Sequence, residues 1–486
     1  MTDERTAHAA TRAIGWSFLG LAASRLVTLA GLAALARLLA PADFGLLAFT
    51  LVSIAYVETI ADLGVGAALI YWPSRTADAA QVAFVLNVAL AGVWLALTIA
   101  LASPVAAFFG SPRGEDILRV LAWTLPIRAL GGTHDALCQK ELQFRARMVP
   151  EVGQSAVKAV FSVALALAGF GVWSLVWGHL LGLLAWTLLL WIVVPWRPRR
   201  HWPAGLLGPM LAYGRGVVAV NLVAAVTHHA DIVVVGRMLG AVTLGFYQMA
   251  AKVPEMTITV LVWVTSRVLF PAFSRMHAEG QAVGDAYLAA LRYVSAVSVP
   301  VAVGLAALGE PLVLTVFGET WRPAAPVLRA LAAYAGVRSL STPAGDVLKA
   351  LGRPGLLAAL GVLRALVLVP SMIAAARFGA VAVAVALASV TAVALFVNTG
   401  VACRLTHVTG AQVVEAVRAS LLAGAALALF LIAWNRVSAG LAPGAVLAGG
   451  GILGLGTYAL AVRVLSPDVY RQARRALVGP TRVDEP

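Results

Sequence analysis

An all-α, polytopic integral membrane protein of about fourteen transmembrane helices is the fold class this sequence predicts, on three observations. Hydrophobic residues are 61% of the 486 and charged ones 12%, with a mean hydropathy of +0.89. A soluble domain carries about a quarter charged residues, so a water-soluble fold is excluded. The apolar residues fall into runs of about 20, the length a helix needs to cross hydrocarbon. Lysine and arginine gather in alternate connections between these runs, as they do on the cytoplasmic side of membranes.

The first run, residues 13–36, follows MTDERTAHAATR. Charges of both signs there, and Arg25 inside the run, do not suit a cleaved signal peptide. The YWPSR break separates residues 44–71 from 81–109, and FFGSPRGED precedes residues 117–137. A basic segment, 138–149, leads into residues 150–169 and 172–195, and a second, 196–210, into residues 211–235. Residues 241–270 are followed by a third basic segment, 271–286. Residues 287–308, 323–348, 355–376, 379–403, 415–435 and 442–465 complete the set. The last contains GAVLAGGGILGLG, whose small residues suit close helix packing.

Charge then sets the orientation. One set of connections holds Arg5, Arg12, Arg75, Lys140, Arg145, Arg147, Arg197, Arg199, Arg200, Arg275, Lys349, Arg353, Arg404, Arg463, Arg471, Arg474, Arg475 and Arg482. The other holds Arg37, Arg113, Arg237, Arg322, Arg377 and Arg436, a bias of about threefold. It supports an even number of spans with both termini cytoplasmic. The net charge of +14 is thereby assigned to topology and anionic headgroups, and nucleic acid is not expected as a partner. No aqueous segment is long enough for an enzyme domain. Cys138 and Cys403 are too few for a disulfide framework or a structural zinc site.

An internal repeat suggests the domain plan. RLLAPADFGLLAFT at Arg37 matches RMLGAVTLGFYQMA at Arg237 in its Arg, Leu and Gly positions, and YWPSR at Tyr71 parallels LFPAFSR at Leu269. Six helices separate the units, so both keep the same orientation, as in parallel repeats about an axis along the membrane normal. The alternative is chance similarity between short apolar stretches. The expected plan is two six-helix lobes in pseudo-twofold arrangement, residues 1–205 and 206–405, with an appended helix pair and basic cytoplasmic tail in 406–486.

Polar residues inside the spans carry the functional signal. Gln248, Lys252, Glu255, Thr259 and Ser266 fall within one arc of a continuous helix, and such a stripe must face something other than lipid. Glu151, Ser155, Lys158 and Ser162 form a second stripe, and Arg338, Thr342 and Lys349 a third. Glu58 and Asp62 are one turn apart. Asn221 and His228 share a face that His229 and Asp231 flank, Arg128 follows Pro126, and Arg364 stands in the eleventh span.

Longer segments add a resemblance. ARLLAPADFGLLAFTLVSIAYVETIADLGVGAALI from Ala36 is similar to the opening of the polysaccharide transporter family, the O-antigen and exopolysaccharide flippases. Their wider superfamily also holds multidrug and toxin extrusion proteins and the lipid II flippase. RALGGTHDALCQKELQFRARM at Arg128, ALAGFGVWSLVWGHLLG at Ala166, ADIVVVGRMLGAVTLGFYQMAAKVPE at Ala230, SRVLFPAFSRM at Ser266 and EPLVLTVFGETWRPAAPVLRALA at Glu310 resemble family segments in the same order, over about residues 13–400.

The resemblance implies a flippase of the bacterial cytoplasmic membrane. It would carry an undecaprenyl-pyrophosphate-linked oligosaccharide to the outer leaflet by alternating access, for O-antigen, capsule or exopolysaccharide synthesis. Partners would be the lipid-linked substrate, membrane lipids, a proton or sodium counter-ion, and polymerase and export proteins. Arg25 is the best match to the cavity arginines that related flippases use for pyrophosphate. Arg128, Lys158, Lys252, Arg338, Arg364, Asn221 and Gln248 are the other cavity candidates, and Glu58, Asp62, Asp231 and Glu255 the coupling candidates.

Each has a plainer alternative. Arg25 and the Lys252–Glu255 pair could be structural ion pairs, Asp62 before GVG could satisfy backbone donors at a helix break, and cations near span ends could snorkel to headgroups. No metal-ligand cluster or GxxxxGK[ST] loop occurs, so neither a cofactor nor ATP hydrolysis is expected. The competing functions are a cation-coupled multidrug exporter, expected to favour acidic and aromatic cavity groups, and a membrane glycosyltransferase or polymerase, which would need a large aqueous loop.

Overall fold

The computed structural model describes residues 27–72, 75–141, 143–203 and 205–467. Arg25 and the basic residues beyond Arg463 lie outside them. The described residues hold helices and no strand, and nine of the helices are long and apolar enough to cross a membrane. The protein is an all-α, multi-pass membrane protein.

Helix α1 (Val27–Leu38) leads to α2 (Pro41–Ala61), where PAD supplies both start signals. Pro41 occupies the first turn and the Asp43 carboxylate accepts from the Ala40 N–H at 3.1 Å. The run expected over 44–71 is two helices, because α2 stops at Asp62 and α3 (Val65–Tyr71) begins after Gly64. Gly64 has φ +73° and its Cα side faces the backbone of Gly214, so a side chain there would be strained and would also overlap that chain. Lys140 closes the other end of α3, its Nζ donating to the Leu69 and Trp72 carbonyls at 3.1 and 2.5 Å. Burial there, opposed in part by Glu141, holds the ammonium below the ordinary lysine pKa.

The third expected run is α4 (Thr76–Ala100) and α5 (Ala102–Phe108), and the fourth is α6 (Arg113–Leu121) and α7 (Thr124–Lys140). Helices α8 (Phe144–Leu167) and α9 (Val172–Val193) pack closely through Gly178 and Gly182, which meet Ser162 and Lys158. Then α10 (Leu207–Pro254) takes in the seventh expected run and the start of the eighth, broken by Gly240 at φ 81°, ψ 173°. A π-helical turn, Glu255–Thr259, joins it to α11 (Val260–Ala278).

Next come α12 (Gly284–Ala307), α13 (Gly309–Val316), a 3₁₀ turn at Glu319–Trp321 and α14 (Ala324–Ala350). Helices α15 (Pro354–Ala376), α16 (Ala380–Thr406), α17 (Gly410–Val437) and α18 (Pro443–Leu465) follow. Helix α17 starts on a reciprocal cap between Thr409 and Gln412, and α18 on Pro443. Helix α13 and the 3₁₀ turn occupy what reads as a plain connection, with Trp321 fully buried and edge-on to Phe246.

Packing divides the chain into two compact units, Met1–Gly245 and Phe246–Pro486. That division lies downstream of the 205/206 boundary expected from the repeat. Within the first unit Met210 joins a core with Val65, Leu69, Val82, Leu183 and Leu190, and Gly45 and Gly245 press against the backbones of Ala241 and Pro41. In the second, Phe273, Tyr287, Leu291 and Val347 form one core, while Leu308, Leu427, Leu431 and Tyr458 tie α17 and α18 to α12. Gly454 in the glycine-rich segment leaves room for Leu427 and Leu431. Outward residues such as Leu366, Val393, Phe396 and Ile452 are largely exposed, as lipid-facing side chains are before any bilayer covers them.

Candidate functional site

The first unit gathers charge from four helices. Glu58 on α2 lies with its Oε2 3.8 Å from Nε of Arg128 on α7, an ion pair too long for a hydrogen bond. The Arg128 side chain is 53% exposed, and its guanidinium sits 5.8 Å from the Trp186 ring on α9. The helix α7 sequence makes that seat: Gly131, one turn on from Arg128, would bring a Cβ to 2.8 Å from the indole, so only glycine admits Trp186. Thr187 fixes the same turn of α9 by donating to the Ile127 carbonyl at 2.9 Å.

His179, two turns earlier on α9, is reached by the charges of both Lys158 on α8 and Arg128. Its Nδ1 is buried without a hydrogen-bond partner. Lys158 is half-buried, its stem against Gly182. Glu58, Arg128, Lys158 and His179 with Trp186 therefore place two cations, one carboxylate, an imidazole and an indole on facing helices. The Arg128 guanidinium has no other ion-pair or hydrogen-bond partner among the described residues. Its planar fork remains open to a bidentate oxyanion such as phosphate.

The remaining first-unit candidates have other surroundings. Asp62 caps the break after α2, its Oδ1 accepting from the Gly64 N–H at 2.9 Å, as a carboxylate that satisfies backbone donors at a helix break does. Asp231 on α10 accepts from its own neighbour's Ile232 N–H at 2.9 Å and lies near enough to Tyr56 for its charge to act there. The His229 ring meets Tyr56 edge-on at 6.0 Å. Asn221 is exposed on α10, beside Tyr213 and Val217 in a shallow, mostly apolar groove.

A second network, at the junction of α7 and α8, had no counterpart in the sequence reading. Arg147 holds Asp135 with both ends of its fork, at 2.6 and 3.2 Å, while Gln139 donates to the same carboxylate at 2.8 Å. The partners lie on either side of a turn, which spacing along a single helix does not reveal.

In the second unit the stripe from Gln248 to Ser266 is not one face. Pro254 has no N–H to give, the ladder slips into a π turn at Glu255–Thr259, and each residue beyond it is rotated relative to a regular helix. Lys252 and Glu255 pair at 2.8 Å, both about half exposed. Gln248 is half-buried on α10. Ser266 donates instead to Asp346 on α14 at 2.7 Å, and Lys349 holds the other oxygen of Asp346 at 2.8 Å. Asp346 is 1% exposed and went unremarked in the sequence, where it stands between stripe residues. Among the described residues Arg338 reaches only the Tyr334 hydroxyl, at 3.4 Å, and Arg364 donates to Thr391 at 3.1 Å with its Nε buried and unpaired. No hydrogen bond or ion pair joins Lys252, Arg338 and Arg364 among the described residues.

Among the described residues no group of three His, Cys, Asp or Glu could hold a metal. With Arg128 and Lys158 the first-unit cluster has the charge to bind an anion. A family model described as polysaccharide biosynthesis protein matches residues 34–326, more than half of the chain.

The chain belongs to this polysaccharide biosynthesis family.

Among its relatives are the succinoglycan biosynthesis transport protein ExoT of Rhizobium meliloti strain 1021, 27% identical over 74% of this chain and 72% of that one. Another is the lipopolysaccharide biosynthesis protein WzxC of Escherichia coli K12, also 27% identical, over 70% and 69%. Among solved structures the fold is similar to that of the lipid II flippase MurJ in an inward closed conformation. The TM-score is 0.77 at 11% identity, covering 93% of this chain and 99% of MurJ. The family member described here is a membrane transport protein of polysaccharide biosynthesis and not an enzyme.

Proposed function

We propose that this protein is a flippase that translocates an undecaprenyl-pyrophosphate-linked oligosaccharide across the bacterial cytoplasmic membrane, for O-antigen, capsule or exopolysaccharide assembly. The observation that carries the reading is Arg128. A half-exposed guanidinium within the fourth expected span, loosely paired and seated on Trp186, is costly in hydrocarbon and useful beside an anionic or hydrated cargo. The polyprenyl tail stays in lipid, so the protein must supply cations for the two phosphates and hydrogen-bonding and stacking groups for the sugars.

In this reading Glu58 holds Arg128 when no cargo is present, and phosphate oxygens displace it. Lys158 and His179 extend the polar surface toward the glycan, and Arg25 adds a second guanidinium. Lys252, Arg338 and Arg364 are the cation candidates of the second half of the chain, and transport proceeds by alternating access. Glu58 is the candidate for coupling to a proton or sodium ion. Both termini are cytoplasmic, and polymerase and export proteins consume the product.

Deletion of the gene tests the function, with lipid-linked oligosaccharides analysed for their leaflet. Accumulation on the cytoplasmic face is expected, restored to normal by the wild-type gene and by Arg128→Lys more than by Arg128→Ala at equal membrane levels. An unchanged leaflet distribution in the deletion strain would refute the flippase reading.

A further inference from the structure

Three helices of the second unit enclose a cavity of about 320 Å³ well apart in sequence from every transport candidate above. Arg292 of α12, Glu415 and Arg418 of α17 and Ser466 beyond α18 supply its polar lining, and Leu422 and Leu465 part of its apolar wall. Arg418 pairs with Glu415 at 3.1 Å, both more than 60% exposed. The Arg292 side chain is exposed and has no ion-pair or hydrogen-bond partner among the described residues.

Position along the helices restricts the occupant. Arg292 and Arg418 each stand about two turns, or about 12 Å, from the start of their helices, and Ser466 follows the end of α18. Those three ends share the side to which the basic segments assign the cytoplasm. About two turns into a helix is the depth of the headgroup and upper acyl region. The cavity therefore opens where one wall meets lipid and the other meets water. Two guanidiniums against one carboxylate leave a positive site, and a volume near the lower limit of ligand pockets admits a headgroup without its chains.

We propose that this cavity binds the phosphate headgroup of an anionic phospholipid of the cytoplasmic leaflet. Arg292 and Arg418 take the phosphate oxygens, Ser466 donates to the headgroup, and the exposed faces of Leu422 and Leu465 carry the first acyl carbons out into the bilayer. Glu415 opposes the anion and is displaced from Arg418 when it binds. A lipid is favoured over a free phosphate because the apolar wall has no role for a small hydrated ion. The bound headgroup also clamps α17 to α12 near the Ser295 to Ser420 hydrogen bond, at 3.1 Å, that joins the two helices.

Native mass spectrometry of the full chain in detergent measures the binding. Phosphatidylglycerol, phosphatidylcholine of the same chains, a polyprenyl pyrophosphate and inorganic phosphate are each titrated. Phosphatidylglycerol is expected to bind at least tenfold more tightly than phosphatidylcholine or inorganic phosphate. Arg292→Ala and Arg418→Ala should each weaken it about tenfold, and Glu415→Gln should strengthen it. Equal binding of the two phospholipids overturns the proposal, as does an unchanged preference in the arginine double variant. Inorganic phosphate binding as tightly as phosphatidylglycerol would make this a free-anion site, and a preference for the polyprenyl pyrophosphate would give it to the carrier; either result overturns the assignment. Glu415→Gln keeps both arginines, so its gain or lack of gain decides the matter if the alanine variants fail to insert.

Discussion

Lys349→Met is expected to destabilise the second unit far more than Asp346→Asn, although the two substitutions break the same ion pair. The asymmetry follows from exposure: Asp346 is 1% exposed and Lys349 44%. Replacing Lys349 leaves a sealed carboxylate with Ser266, at 2.7 Å, as its remaining side-chain partner. A buried charge stripped of its counter-ion loses about 3–5 kcal/mol of stability. Replacing Asp346 by asparagine keeps an oxygen for the Ser266 hydroxyl and removes the buried charge, while Lys349 can turn toward water or headgroups. That loses one charged hydrogen bond, partly offset by the relieved desolvation, for about 1 kcal/mol net. A unit of this size shifts its melting temperature by about 2–4 °C per kcal/mol. Thermal unfolding of purified protein in detergent, followed by tryptophan fluorescence, should therefore fall by about 10 °C in Lys349→Met and about 3 °C in Asp346→Asn. The double variant should sit near Asp346→Asn. If Asp346→Asn melts as low as Lys349→Met, or the double variant shows the sum of the two losses, the buried carboxylate is not the group that needs compensation.

Three further outcomes are expected. In a double-mutant cycle, Glu58→Gln and Arg128→Ala should couple by about 1 kcal/mol in surface-polymer output, because the pair is long and half-exposed; fully additive effects would show that the two side chains act separately. Gly64→Ala should lower stability by about 2 kcal/mol through its positive φ and its overlap with Gly214, read as a lower melting temperature, and a change under 1 °C would contradict the close approach. Lys140→Met should loosen the end of α3 and raise hydrogen exchange at Leu69–Trp72 above that of α2, whereas unchanged exchange would remove the lysine as its cap.

Composition and periodicity by themselves determined that the chain is helical and membrane-embedded, since runs of about 20 apolar residues must satisfy their backbone internally in hydrocarbon. They also placed α9, α12 and α15 to α18, and they marked Arg128, Lys158 and Glu58 as residues needing a reason to be there. Local chemistry went a little further: DLGVG carried the break that Asp62 and Gly64 make. Contacts between distant segments were decided only in three dimensions. Arg128 meets Glu58 and Trp186, Asp135 meets Arg147 across a turn, and Asp346 draws Ser266 away from the Lys252 face. The stripe failed for a related reason. A helical wheel assumes about 3.6 residues per turn throughout, and the π turn after Pro254 rotates everything beyond it, a change of phase that no single residue announces.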